Sequence, residues 1–383
     1  MFGAESERMK INGQEYSREE LLRRVGSVSQ LGGTRHYTLA DGRAKGVSAV
    51  DVDTGAGLRF SVLAGRGLDI SAAAFKGVNL VYLTPNGEVH PAFYEPQDAG
   101  WLRTFFAGLL TTCGLTYLGD PGRDGDEDLG LHGRYSNSPA CRVCDRSGWD
   151  GDEYRIEISG VVEECTVFGD KIRLTRSIRS SLGSRSLLIE DEAENFGYKT
   201  SPFTILYHLN FGFPLLDEST RLSLSAERTE PVDAHSQEGM DRWSSFSPPM
   251  AGFAEENFLH TMTTDKSGLA TAVLVNPELA CNPSAGDGDN RAQQGLGVYI
   301  RFDPVALPYL NEWKLMDQGD YVVAIEPCNA PCANRAELRK LGLLPSLEAG
   351  QKWTSRLEIG VLEGRDEIGR FLEDAGLGVE DRK

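Results

Sequence analysis

The 383-residue chain has no apolar stretch approaching the length of a membrane span, and its first residues mix acidic and basic side chains without a hydrophobic run. Neither a spanning helix nor a secretory signal or transit peptide is expected, and the cytoplasm is the expected compartment. Positive charge is in short supply: 39 Lys and Arg stand against 57 Asp and Glu, a formal net charge of -18. Such a surface repels phosphate backbones and anionic lipid. Nucleic acid and membrane are therefore not expected as partners, and a small neutral or weakly charged ligand fits better. Cysteine is sparse and odd in number, at Cys113, Cys141, Cys144, Cys165, Cys281, Cys328 and Cys332, which favours reduced thiols over a disulfide framework. The close pairs Cys141/Cys144 and Cys328/Cys332 raise a four-thiolate zinc site. A separation of three within a strand, however, sends side chains to opposite faces, so free thiols are the better reading. A phosphate loop, a dinucleotide fingerprint and a nucleophile elbow are all missing. Gly65-Arg66-Gly67 lacks the third glycine and the following helix. No cofactor and no resident metal is expected.

What the chain does have is a strand-rich pattern. Tyr154, Ile156 and Ile158 alternate with Arg155, Glu157 and Ser159, and Ile172 and Leu174 alternate with Lys171, Arg173 and Thr175. This is the period of two of a sheet with one wet face. Leu187 to Glu194 continues it, and further strands are expected at 203–209, 221–227, 270–275, 297–302, 321–326 and 352–362. Helices are expected only at 17–25, where Ser17 and Glu20 form a capping-box pattern, and near 364–375. With Gly and Pro scattered and no βαβ alternation, the pattern predicts a mainly β protein, a large antiparallel β-sandwich with a few short helices. The expected organisation is an N-terminal helix and leading strands over 1–57, packed on a single sandwich domain over 58–383. Exposed loops are expected at 120–128 and 283–296. Asp124, Asp126 and Asp128 fall at alternate positions in the first, but no glutamate follows at the calcium-loop spacing.

Three segments place a scarce titratable residue in an apolar or glycine-rich context: GLHGRYSNSPA with His132, PFTILYHLNFGFPLL with His208, and YVVAIEPCN with Glu326. A carboxylate ending a buried strand must be paired, hydrogen-bonded or used, which makes Glu326 the candidate general base. His208, taken alone, reads first as a core histidine bonded to a backbone carbonyl, and His132 either as a turn residue without a chemical role or as a binding residue, since the glycine beside it lets a ligand approach the backbone.

In their order and spacing, these segments together with AGRGLDIS (64–71), GWLRTFFAGLLTTCGL (100–115) and LLIEDEAENFG (187–197) resemble the aldose 1-epimerase (galactose mutarotase-like) superfamily, in particular its broad bacterial branch. The resemblance runs from about residue 58 to 362. It implies the family's supersandwich fold and cofactor-free interconversion of sugar anomers, with Glu326 as general base, His208 as general acid, and His132 and Arg103 as sugar-binding residues. Trp313 and Trp101 are the expected platforms for the sugar's apolar face, with Tyr207 and Phe211 as further aromatic candidates. The second arginine motif and the sugar-binding aspartate of the better-known galactose mutarotases have no clear counterpart, which leaves the sugar open. Two other readings stand beside this one. The first is a metal-assisted sugar isomerase or lyase using His132, His208 and Glu326 as ligands. The second is a carbohydrate-binding module without turnover. A small-molecule sugar is the expected partner, and a homo-oligomer is left open.

Overall fold

The computed structural model describes residues 9–11, 13–281 and 294–377. Residues 283–293 of the second expected loop lie outside this set. Ser17 caps the helix Arg18–Leu22, its side chain accepting from the Glu20 amide while the Glu20 carboxylate takes the Ser17 amide. The amphipathic helix Arg365–Ala375 packs Ile368, Leu372 and Ala375 against Val273 and Leu362.

Strands dominate the rest and pair antiparallel. The largest sheet has nine strands and runs in the order Cys141–Asp145, Glu153–Cys165, Lys171–Ser181, Ser186–Asn195, Lys352–Glu363, Leu296–Phe302, Ala270–Asn276 and Arg221–Leu224, with Gly148–Asp150 off the path. A six-stranded sheet runs Ala226–Pro231, Glu256–Met262, Tyr309–Met316, Tyr321–Cys328, Thr204–Gly212 and Thr111–Leu115. A five-stranded meander covers Gly33 to Asn79, and within it Ser48–Asp53 pairs with Leu58–Leu63, so chain on both sides of residue 57 shares one sheet. The bridges Ile70 to Leu110 and Val81 to Phe211 join the meander to the six-stranded sheet. One apolar core takes residues from all three sheets, including Phe60, Ile158, Ile189, Leu209 and Ile325.

Alternation explains which faces are wet. Ile172, Leu174 and Ile178 point inward while Arg173, Thr175 and Arg179 point out. Thr204–Gly212, by contrast, is buried at every position. Its odd-numbered residues Ile205, Tyr207, Leu209 and Phe211 enter the main core, which takes Tyr207 and Phe211 out of the set of sugar platforms. On its other face, Leu206 joins a second, smaller apolar cluster that includes Trp101, Phe105, Cys113 and Cys328, and His208 lies against the Trp101 and Phe105 rings. Inside the main core, Arg176 is wholly buried between Asp191 and Asp69. Asp191 also accepts from the Tyr207 hydroxyl at 2.8 Å, so polar groups taken from water are paired.

The 120–128 segment is more ordered than a solvated loop. It is a hairpin of Gly122–Asp124 and Glu127–Leu129, and Asp124 and Glu127 pair with the buried Arg335. The four cysteines of the imagined zinc site are not gathered: Cys141 is exposed, Cys144 and Cys332 are half-buried, Cys328 is buried, and all are free thiols.

Candidate active site

Strand register brings the two principal candidates together. Leu206 pairs with Cys328 and Leu209 with Ile325, which sets His208 opposite Glu326. Glu326 in turn lies opposite Asn311 on the next strand. Residues directly opposite in an antiparallel sheet share a face, so a histidine, a carboxylate and an amide stand side by side. His208 Nε2 is 3.0 Å from Glu326 Oε1, and Asn311 Nδ2 donates to Glu326 Oε2 at 2.7 Å. The imidazole and carboxylate are thus neighbours, with no pyranose-sized gap between them. Their side chains remain 5% and 2% exposed, so the pair is deep without being sealed.

Four rings wall in His208. Phe105, Trp313, His132 and Trp101 have centroids 5.2, 5.6, 5.9 and 6.4 Å from it. Trp313 is half-buried and its indole N–H donates to Glu255 at 2.8 Å, which leaves it able to serve as a platform. Trp101 is only 2% exposed; its indole donates to Ser136 Oγ and its ring meets His132 at 4.7 Å. It therefore backs the histidine wall and presents no face to a ligand. His132 keeps part of its surface open in a left-handed backbone conformation (φ 57°), held by its amide on the Gly119 carbonyl and its carbonyl on the Gly114 amide. Gly133 beside it must be glycine, because φ is 75° and a Cβ there would strike the Tyr117 and Gly114 carbonyls.

Arg103 is not brought to the pair. Its side chain is 69% exposed and bridges to Glu95 at 3.2 Å, since the short helical turn Gly100–Arg103 turns Trp101 inward and Arg103 out. The structure adds two residues the sequence did not single out, Asn311 and Glu255. Asn311 is two residues from Trp313 on the same strand, but nothing short of the strand register links it to Glu326.

Burial governs the electrostatics. Desolvation raises the Glu326 carboxyl to about 8; the Asn311 hydrogen bond opposes this and Glu255 adds to it. Desolvation, reinforced by His132, carries His208 well below the ordinary histidine range. His132 is lowered to about 4 by burial alone. A low dielectric thus disfavours charge on every member, and the His208–Glu326 contact is best described as a pair sharing one proton. Among the described residues, no group of three or more His, Cys, Asp or Glu side chains is arranged to hold a metal ion, so His132, His208 and Glu326 are not assembled as a three-ligand set.

The three antiparallel sheets have the galactose mutarotase-like fold. The chain belongs to the family described as a domain of unknown function (DUF4432), whose model matches residues 44–361. Among solved structures it is similar to a Klebsiella pneumoniae protein provisionally named an aldose 1-epimerase, at 24% identity and a TM-score of 0.82, over 98% of this chain and 95% of that one. It is also similar to a galactose mutarotase-like protein from Clostridium acetobutylicum, at 14% identity and a TM-score of 0.59, over 87% and 99% of the two chains. A galactose 1-epimerase from Lactobacillus acidophilus aligns at 14% identity and a TM-score of 0.54, over 87% and 100%. At these identities the likeness speaks to the fold. A search of curated proteins finds no match. No helix among the described residues is long and apolar enough to cross a membrane.

Proposed function

We propose that the protein is a cofactor-free aldose 1-epimerase or a closely related sugar epimerase, with Glu326 and His208 as its catalytic pair. The observation that carries this reading is the 3.0 Å contact between an imidazole and a carboxylate on one sheet face, walled by aromatic rings. The anomeric hydroxyl oxygen O1 and the ring oxygen O5 of a pyranose are bonded to the same carbon. Two proton-transfer groups acting on them must therefore also be neighbours. At neutral pH the shared proton rests on Glu326, and its transfer across the 3.0 Å contact to His208 Nε2 gives the reactive state, in which Glu326 takes the O1 proton while His208 gives its own to O5. The C1–O5 bond breaks, leaving an aldehyde at C1, a hydroxyl at C5 and the proton on Glu326. Rotation about C1–C2 and reversal of the two transfers closes the ring as the other anomer. The proton count of the pair is the same at the start and the end, so no oxidant, reductant or co-reactant is consumed.

A Glu326 carboxyl near 8 suits this work, because a group poised close to ambient pH both gives and takes a proton at small driving force. His132 and Trp313 are assigned to sugar binding, and Trp101 supports His132 from behind. The test is anomer exchange by polarimetry or NMR across a panel of neutral aldoses. Exchange above the spontaneous rate that disappears in Glu326→Gln supports the reading. Sugar binding without exchange would replace it with a carbohydrate-binding module.

A further inference from the structure

We infer that Arg66 is a positioning residue for this site, tying together the three loops that carry its walls. Its guanidinium is wholly buried and donates to three backbone carbonyls: Nε to Ser136, Nη1 to Val89 and Nη2 to Thr104 at 3.1 Å. No carboxylate lies among its hydrogen-bond partners, and the Phe106 ring sits 5.1 Å from its Cζ. Asp69 and Glu88 lie near enough to favour its charge but do not bond it, and a buried charge that no carboxylate bonds directly is an expensive way to hold a core. It makes sense where five donors in a fixed fork must reach several strands of chain at once.

Each acceptor leads to the site. Thr104 lies between Trp101 and Phe105, and the Phe105 ring is 5.2 Å from His208. Ser136 follows His132 by four residues, and its hydroxyl receives the Trp101 indole N–H at 3.1 Å. Val89 opens the segment that ends in Tyr94, whose hydroxyl donates to the Gly133 carbonyl at 2.9 Å, next to His132. The loop bearing Arg66 is fastened from its other side as well, since the Gly67 amide donates to the Ser138 carbonyl at 2.8 Å. Gly67 is glycine for the same reason: φ is 67° and a Cβ would meet the Tyr135 ring. Arg66 burial lowers its pKa to about 10, which leaves it charged at neutral pH.

The inference rests on the catalytic reading for its kinetic consequence but not for its structural one, and two readouts separate them. In the ligand-free protein, the His132 imidazole is titrated by NMR in wild type and in Arg66→Lys, which keeps the charge and loses the fork. Its pKa should move from about 4 back toward the ordinary value as the loop loosens and water enters. In the exchange assay, kcat of Arg66→Lys should fall by about 10- to 100-fold, as a small misplacement of site groups does. A lower melting temperature with His132 and kcat both unmoved would overturn the inference and leave Arg66 a purely structural residue. A wild type without exchange activity would remove only the kinetic arm, and the titration would still decide. Should Arg66→Lys fail to fold, Arg66→Gln takes its place, since a single amide cannot reach all three carbonyls. A His132 unshifted in that variant overturns the inference equally.

Discussion

The six-stranded sheet carries two histidine–glutamate pairs, one on each face, and they have opposite characters. On the front, His208 and Glu326 meet at 3.0 Å; on the back, His260 and Glu312 meet at 3.2 Å with no exposure at all. The back pair is held by the protein: the second ring nitrogen of His260 is 2.9 Å from the Thr229 hydroxyl, Trp243 lies 5.1 Å from its ring, and Lys314 and Glu256 sit nearby. Each pair leaves one buried atom without a hydrogen-bond partner, Glu312 Oε1 at the back and His208 Nδ1 at the front. The histidines are what differ: His260 is engaged at both ring nitrogens, whereas His208 is engaged only through Nε2, and the walls around it are rings, two of them half-buried. Residue type and contact distance therefore do not separate a working pair from a structural one. What surrounds them does.

The largest effect that would break or sharpen this contrast is on rate. Glu326→Gln and His208→Asn are each expected to lower anomer exchange by about 10²- to 10⁴-fold, the worth of a positioned proton transfer, while Glu312→Gln leaves kcat within about threefold. The two pairs then trade places in a denaturation experiment. His260→Ala should destabilise the protein by about 3 to 5 kcal/mol in urea unfolding, because it strands a buried carboxylate. Glu326→Gln should be stabilising by about 1 to 3 kcal/mol at pH 8. The sign follows from the raised pKa. The stabilisation tied to a protonated Glu326 is fully present below its ordinary value of 4.5 and is lost as pH rises to about 8, a loss the neutral amide does not suffer.

A smaller effect tests Asn311. Asn311→Leu removes the hydrogen bond that holds the Glu326 pKa down, so the alkaline fall in exchange rate, expected near pH 8 in wild type, should move to higher pH, with kcat lowered by about tenfold. On the acid side the wild-type rate should persist below pH 6.5, since His208 is depressed beneath its ordinary range. A pH–rate profile in wild type and variant checks both limbs. Smallest of all, Arg103→Ala should change kcat and KM by less than about twofold, as loss of an exposed ion pair with Glu95 does.

The β architecture is legible in the sequence because alternation is a local property: the strands expected at 270–275, 297–302, 321–326 and 352–362 are found within a residue or two of those bounds. His208 and Glu326 stand out because a titratable side chain in an apolar strand is conspicuous without knowledge of its partner. What alternation alone does not supply is register. Asn311 becomes visible only when its strand is laid against that of Glu326. Tyr207 and Phe211 were candidates only until the parity of His208 assigned their positions to the core face. Arg103 and Trp101 are two residues apart on a tight helical turn, too short to show periodicity, and the turn sends one to solvent and the other to the interior. His260 shows the converse. Nothing in ENFLHTM distinguishes it from a site histidine, and only its saturation by neighbours does.

The most direct test of the account is NMR exchange spectroscopy on an equilibrated neutral aldose, comparing purified wild type with Glu326→Gln at pH 7. The account predicts transfer between α and β anomeric resonances faster than the buffer rate with wild type, and at the buffer rate with the variant. Equal transfer by both proteins would contradict it.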